Sequence, residues 1–134
     1  MLAKLEAKAA GADEALLLDL SGRVCEAAGW NVFLLRGNRL LTPRHDILAG
    51  ITRETVFELG PAAGLTVEEA DLELYDAYTA DEVFLASTAG GLLPVTAIDG
   101  RAIGSGRPGP AFQGLRSAYE QLITSERYGT PVFS

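Results

Sequence analysis

Residues 48–52 form the first stretch whose composition and spacing suggest chemistry. Thr52 is a favourable N-cap residue, and residues 53–59 read as a helix that ends at Gly60. Gly50, just before this helix, allows the backbone to come close to a ligand. Unpaired N–H groups at a helix start and the helix dipole together bind anions. The stretch is therefore a candidate anion site, although an ordinary capped helix would show the same pattern.

Residues 86–91 form a second stretch rich in hydrogen-bond donors, at the C-terminal end of an apolar run. Ser87 and Thr88 offer hydroxyl groups, and the glycines at 90 and 91 permit a nest of backbone N–H groups. A tight connection between two strands is the alternative interpretation. Two such turns in one small domain favour a phosphate or carboxylate ligand more than either turn does alone.

Glu26 is the third feature, because a carboxylate followed by small residues can face a cleft. Paired with a heterocyclic nitrogen, it would hold a proton there and make the ring a better electron sink. A solvated surface glutamate is the alternative. His45, the single histidine, is expected to be a solvated loop residue. Cys25 is not expected to act as a nucleophile, because no base lies near it in the sequence. No spacing of His, Cys or carboxylate residues indicates a metal site.

Composition limits the class of protein. The 134 residues suffice for one domain, and the net charge of −7 argues against nucleic acid and anionic membranes as partners. The single cysteine precludes an intrachain disulfide and favours a cytoplasmic location. Charged residues at positions 4, 6 and 8 interrupt the first apolar run, so we expect no signal peptide. No run is long enough to cross a membrane.

The pattern of apolar and turn residues predicts an α/β fold with short loops. Helices are predicted at residues 1–10, 53–59, 71–78 and 111–124. Strands are predicted at residues 15–20, 23–26, 31–35, 39–42, 65–69, 82–86, 92–98 and 101–103, the first four as an antiparallel meander. Asp99-Gly100 favours a type I′ hairpin turn. The last helix presents one apolar face, formed by Phe112, Leu115, Tyr119 and Leu122.

An ordered series of motifs resembles the fold-type IV, pyridoxal-phosphate-dependent aminotransferases. The motifs are Glu26-(x)4-Asn31-Val32-Phe33, Leu40-Leu41-Thr42-Pro43, Leu48-Ala49-Gly50-Ile51-Thr52-Arg53, Ala80-Asp81-Glu82-Val83-Phe84, Ser87-Thr88-Ala89-Gly90-Gly91-(x)2-Pro94-Val95, Ile98-Asp99-Gly100 and Gly104-(x)4-Gly109-Pro110. The similarity runs from residue 2 to residue 122, and its order is more specific than any one motif. It implies a C-terminal pseudo-barrel domain of mostly antiparallel strands with outer helices at residues 1–124, followed by a tail at 125–134.

The resemblance also implies an activity and a site. Enzymes of this family move an amino group between an amino acid or amine and a 2-oxo acid, using pyridoxal 5′-phosphate. By resemblance, Glu26 faces the ring nitrogen, Leu48 packs on the ring, and Thr52 holds the phosphate. The residues expected at the cofactor are Glu26, Leu48, Gly50, Ile51, Thr52, Ser87 and Thr88, with Ala89 and Gly90 on the substrate side.

Within the family, residues 29–31 and 88–94 look more like the (R)-selective amine and D-amino-acid transaminases. Branched-chain aminotransferases, the other branch considered, commonly carry a glutamate where Gly91 stands. Cys25 and Ala27 also depart from the residues usual on either side of the ring-facing glutamate.

The resemblance places the Schiff-base lysine, and a whole N-terminal domain, before Met1. Lys4 and Lys8 would lie on the exposed side of the predicted first helix and are not replacements. We therefore expect no catalytic residue within the 134, and an isolated chain that is inert and binds the cofactor weakly or not at all. The expected partners are the N-terminal domain and further copies of the chain. A stand-alone domain that binds a phosphorylated ligand or a partner, and a lyase of the same fold, are the alternatives.

Overall fold

The computed structural model describes residues 3–7, 13–18, 23–27, 30–44, 51–87 and 91–129. These residues contain nine strands and three helices. The strands are β1 (Ala3–Ala7), β2 (Asp13–Leu18), β3 (Val24–Ala27), β4 (Asn31–Arg36), β5 (Arg39–Pro43), β6 (Thr66–Ala70), β7 (Glu82–Ser87), β8 (Gly91–Ile98) and β9 (Arg101–Ala102). The helices are α1 (Ile51–Ala62), α2 (Leu74–Tyr78) and α3 (Pro110–Gly129).

The strands form one sheet in the order β3-β2-β1-β8-β7-β4-β5-β6, with β9 paired to β8. All of the described strand pairs are antiparallel except β5 with β6. The sheet curls, because Val24 of β3 and Leu41 of β5 belong to the same buried core although they lie near opposite edges. The Val24 N–H donates to the Leu72 carbonyl oxygen at 2.6 Å and so ties the two edges together. The predicted pseudo-barrel of mostly antiparallel strands is confirmed.

Strand β4 explains how the two cores are divided. Its residues 31–35 are all buried, so it reads as a continuous apolar run rather than an alternating one. Val32 and Leu34 face one core, and Phe33 and Leu35 face the other. The second core lies between the sheet and helices α1 and α3, where Phe33 stacks on a β7 phenylalanine with ring centroids 5.1 Å apart.

The predicted helix at residues 1–10 is wrong where the structure describes it. Residues 3–7 form β1, which is paired with β2 on one side and β8 on the other. Ala, Lys and Glu favour a helix, but Leu5 is fully buried in this strand and Lys4 is exposed. Two neighbouring strands therefore outweigh local propensity.

The predicted meander is also only partly right. Strands β2 and β3 pair, as do β4 and β5, but β4 takes β7 rather than β3 as its other neighbour. Strand β6 runs parallel to β5, since α1 crosses between them. Helix α3 continues to Gly129, past the predicted end at Thr124.

Helix α1 differs from its prediction at both ends. It begins at Ile51, so Thr52 lies inside its first turn and is not the N-cap. It passes through Gly60 and Pro61 and ends at Ala62. No helix of the described residues is both long enough and apolar enough to span a membrane.

The β8–β9 hairpin confirms the predicted turn. Asp99 and Gly100 have φ values of 53° and 77°, the left-handed conformation that a type I′ turn requires. The Tyr78 hydroxyl donates to the Asp99 carboxylate, and the Arg101 guanidinium lies 4.7 Å from the centre of the Tyr78 ring. The hydrogen bond from the Tyr78 hydroxyl lowers the pKa of Asp99, and the bond from the Lys4 N–H does so as well. The bond between Tyr78 and Asp99 also raises the pKa of Tyr78. The hairpin tip is thus fastened to α2 and β1.

Glu82 fixes the start of α3. Its carboxylate accepts hydrogen bonds from the N–H groups of Ala111 (3.2 Å) and Phe112 (2.8 Å), where the helix dipole also favours negative charge. A Cβ added at Gly109 would lie 2.1 Å from the Glu82 Cδ, so only glycine allows this approach. The first strand residue of β7 therefore sets the position of the whole helix.

We expect Glu82→Gln to lower the free energy of unfolding by about 1 kcal/mol, because the charge at the α3 N-terminus is lost. Urea unfolding measures this. Glu120→Gln is the matched control, since Glu120 makes an exposed pair with Arg116 on the same helix. Equal effects of the two substitutions would show that the Glu82 carboxylate does not anchor α3.

We expect Tyr78→Phe to raise the pKa of Asp99 toward its usual value, because the main cause of the lowered pKa is removed. A carboxylate whose pKa is lower in the folded chain than in the unfolded chain stabilises the fold at pH values above its unfolded pKa. This stabilisation is lost as the pH falls through the folded pKa. The variant should therefore be less stable than wild type at neutral pH, and the difference should vanish at strongly acidic pH. Carboxyl NMR titration and urea unfolding measure both effects, with Tyr75→Phe, at a 71% exposed residue, as control.

Candidate functional site

The segments singled out from the sequence emerge at one end of the sheet. Strand β4 begins there with Asn31, which lies opposite Ala86 near the end of β7. Strand β5 ends there, since it is antiparallel to β4, and Thr42 Oγ1 donates to the Val32 carbonyl oxygen at 2.7 Å. Strands β5 and β7 thus end on either side of the start of β4. Strand β3, which contains Glu26, ends a few residues before Asn31. The backbone of Glu26 pairs with that of Leu17 in β2.

Tyr119 of α3 lies near the start of α1 and the start of β8. Its hydroxyl oxygen lies 3.3 Å from Thr52 Oγ1, in the first turn of α1. A Cβ added at Gly91 would lie 3.4 Å from Tyr119 Cε2. Gly91 pairs with Ser87 across the β7–β8 connection. Tyr119 therefore contacts Thr52 in the first turn of α1 and lies close to Gly91, the first residue of β8.

The structure does not describe every residue expected at the site. Five of them, Leu48, Gly50, Thr88, Ala89 and Gly90, lie outside the described residues. Glu26 and Ile51 are described by backbone only, in β3 and at the first position of α1. Ser87 is half-buried at the end of β7, and Thr52 is buried. The assignment of these nine residues to a cofactor stays a prediction.

The chemistry of the described part suits an anion. Helix α1 has 12 residues, so its dipole is developed, and the Thr52 hydroxyl lies in its first turn. Arg53, the next residue, is buried, but its charge is balanced by the Glu69 carboxylate, so it adds no net positive charge to this turn. Its guanidinium stacks 5.0 Å from the centre of the Phe57 ring and bonds the Glu69 carboxylate. The described residues contain no group of three His, Cys, Asp or Glu able to hold a metal ion.

Few lysines are available for covalent chemistry in this sequence. Its two lysines are Lys4 and Lys8, of which the second lies outside the described residues. The backbone of Lys4 bonds Asp99 at the hairpin end of β8, whereas Gly91 and Tyr119 mark the other end of that strand. Lys4 is thus far from the connections that form the candidate site.

Tyr119 and Glu69 contribute to this region although the sequence pattern assigns neither a site role. The pattern gives Tyr119 as one of four residues on the core face of α3, and it does belong to the core. A tyrosine on such a face signals a hydrogen-bond partner, since its hydroxyl is costly to bury alone. The sequence gives no sign of the contacts made by Glu69, because a charged residue on an edge strand is expected to face solvent.

Comparison with known proteins identifies the family. The family model described as amino-transferase class IV matches residues 1–98. The chain is 42% identical to the branched-chain-amino-acid aminotransferase-like protein 2 of Arabidopsis thaliana, over 99% of this chain and 24% of that protein. It is 39% identical to the branched-chain-amino-acid aminotransferase of Pseudomonas aeruginosa, over 94% of this chain and 41% of that protein. The chain thus spans less than half the length of these curated relatives.

Solved structures agree. The branched-chain amino acid aminotransferase of Thermobaculum terrenum, in its PLP form, superposes with a TM-score of 0.80 and 38% identity, covering 85% of this chain and 38% of that one. A second branched-chain amino acid aminotransferase, that of T.th., was solved with pyridoxamine 5′-phosphate. It superposes with a TM-score of 0.82 and 41% identity, covering 90% of this chain and 41% of that one. Of the two branches considered from the sequence, these comparisons support the branched-chain one. The chain belongs to the class IV aminotransferases, within the branched-chain branch of the fold-type IV enzymes.

Proposed function

We propose that this chain is the cofactor-binding part of a pyridoxal-phosphate-dependent branched-chain aminotransferase. The enzyme would move an amino group between an amino acid and a 2-oxo acid. The observation that carries the proposal is the position of Tyr119, whose hydroxyl contacts Thr52 and whose ring lies close to Gly91 at the start of β8. A structural relative with 41% identity is known with pyridoxamine 5′-phosphate, which supports the same class of ligand here.

The residues fit a phosphorylated pyridine. The first-turn N–H groups of α1 and the Thr52 hydroxyl would hold the phosphate, with Ser87 and Thr88 as donors from the second connection. Leu48 would cover one ring face, with Gly50 permitting the close approach of the backbone. Small side chains at 89 and 90 would leave room for the substrate.

Glu26 would act at the ring itself. A carboxylate beside the pyridine nitrogen keeps a proton on that atom, since the ion pair favours the charged ring. Bound pyridoxal phosphate supplies an electron sink for the charge that develops at the substrate carbon. The role of this chain is therefore to hold, orient and polarise the cofactor.

The amine that must move the proton between substrate and cofactor is proposed to come from polypeptide outside these 134 residues. The position of Lys4 at the opposite end of β8 supports this, as does the relatives' greater length. The chain up to the end of α3 at Gly129 would then belong to the C-terminal domain, so that the predicted tail would be shorter than residues 125–134. Its proposed partners are the lysine-bearing domain and further copies of the chain, in the cytoplasm.

We expect the isolated chain to show no amino transfer. Adding pyridoxal phosphate with a branched-chain amino acid and a 2-oxo acid, and following the keto product, measures this. The physical reason is that proton transfer at the substrate carbon lacks its amine. Turnover that survives Lys4→Met and Lys8→Met would contradict the proposal, because the remaining residues would then have to supply the base.

We expect Thr52→Val to weaken binding of pyridoxamine 5′-phosphate about tenfold, since one charge-assisted hydrogen bond to phosphate is worth roughly 1.5–3 kcal/mol. This ligand cannot condense with lysines, so its affinity reports the site alone. Phosphorus NMR titration measures the dissociation constant. Tyr119→Phe should have a smaller effect in the same direction, because it removes only the partner of the Thr52 hydroxyl.

Two controls match these changes. Thr66→Val matches Thr52→Val, at an exposed residue at the start of β6. Tyr75→Phe matches Tyr119→Phe, at an exposed residue of α2. Neither should alter the affinity. Binding that is unaffected by Thr52→Val would contradict the assignment of α1 to the phosphate. Wild-type chain that binds a different phosphorylated ligand, and not this one, would favour the stand-alone binding domain.

A further inference from the structure

We infer that Glu69 is a positioning residue that holds both ends of the connection between β5 and α1. This connection, residues 44–50, is here called the β5–α1 loop. The inference rests on the proposed function, because this stretch of sequence contains Leu48 and Gly50, which are proposed to contact the cofactor. Glu69 lies on β6 and is assigned no contact with the cofactor itself.

The first arm runs from α1 to β6. Arg53 Nη2 donates to Glu69 Oε2 at 2.7 Å and to the Pro43 carbonyl oxygen at 3.4 Å. The Arg53 side chain is only 10% exposed, so water cannot easily replace the carboxylate. Arg53 thus joins the first turn of α1 both to Glu69 and to the last residue of β5.

The second arm runs from the other end of the loop. Arg44 Nη2 donates to the Glu69 carbonyl oxygen at 3.2 Å. The Arg44 guanidinium also lies 3.5 Å from the Asp71 carboxylate, two residues further along the chain. The backbone and the side chain of one residue therefore bind the two arginines that flank the loop.

The sheet topology explains why β6 can do this. Strand β6 runs parallel to β5, with Thr42 opposite Glu69 and Pro43 opposite Ala70. The end of β6 consequently lies beside the point where the chain leaves β5 and, after the loop, enters α1. Fixing both ends of a short loop reduces the conformations that it must give up when a ligand binds.

Glu68 provides an internal comparison. It binds Arg39 through two hydrogen bonds of 3.0 and 3.1 Å, and this pair lowers the pKa of Glu68. Both partners lie on adjacent strands, so the pair spans no loop. Glu68→Ala is therefore a matched control, since it removes an arginine–glutamate pair from the same strand.

Trypsin supplies a readout that needs no cofactor, because it cleaves after Arg44 at the start of the loop. We expect Glu69→Ala to accelerate cleavage of the Arg44–His45 bond about tenfold, through local opening, while the urea midpoint stays near that of wild type. Glu69→Gln, which keeps a hydrogen-bond acceptor, should give an intermediate rate. Glu68→Ala should cleave there at the wild-type rate. Mass spectrometry identifies the bond that is cut.

The second readout is the bound phosphate. We expect Glu69→Ala to weaken pyridoxamine 5′-phosphate binding about tenfold and to shift the phosphorus resonance of the complex, with both restored in part by Glu69→Gln. Wild-type chain that binds no pyridoxamine 5′-phosphate would show that these 134 residues do not hold the ligand by themselves, and the trypsin result would still decide the role of Glu69.

Two results would overturn the inference. One is a rate of cleavage at Arg44 that Glu69→Ala and Glu69→Gln leave unchanged. The other is an equal acceleration at all arginines, accompanied by a lower urea midpoint, which would show that Glu69 supports the fold as a whole rather than the loop.

Discussion

The contact between Thr52 and Tyr119 is the interaction on which the rest of the account depends. It joins the first turn of α1 to α3 at a hydroxyl–hydroxyl distance of 3.3 Å, within the core that lies between the sheet and these helices. Tyr119 also lies close to Gly91, the first residue of β8, since a Cβ added there would be 3.4 Å from its ring. The same side chain is therefore near the first turn of α1 and near the start of β8.

The rest of the fold holds the two partners of this contact. Glu82 accepts hydrogen bonds from the first turn of α3 and so sets the position of Tyr119. Arg53, bonded to Glu69, holds the first turn of α1 against β5 and β6. The helix dipole favours the Glu82 carboxylate at the start of α3, whereas Arg53 in the first turn of α1 depends on its pairing with Glu69. The apolar core supplies the bulk of the stability, and these polar contacts decide where the helices begin.

Much of this arrangement was predictable from sequence, because local pattern specifies it. The apolar run of β4, the Asp99-Gly100 turn and the core face of α3 each depend on neighbouring residues alone. Strand β1 was not predictable in this way, since its Ala, Lys and Glu residues favour a helix and only pairing with β2 and β8 makes it a strand. The parallel pairing of β5 with β6 likewise depends on the crossover through α1.

The same distinction between local sequence pattern and long-range contact applies to the candidate site. An ordered series of motifs predicts which segments form the site, and the sheet places the ends of β5 and β7 on either side of the start of β4. Tyr119 and Glu69 escaped prediction because their roles come from partners 67 and 16 residues away, Thr52 and Arg53. Contacts over such separations leave no periodic signal in the sequence.

The most direct measurement is backbone amide NMR of the chain titrated with pyridoxamine 5′-phosphate. We expect chemical-shift changes confined to three segments, around Glu26, Thr52 and Ser87, that saturate together at one dissociation constant. Changes restricted to one of these segments, or centred on the Asp99 hairpin at the other end of the sheet, would contradict the proposed site.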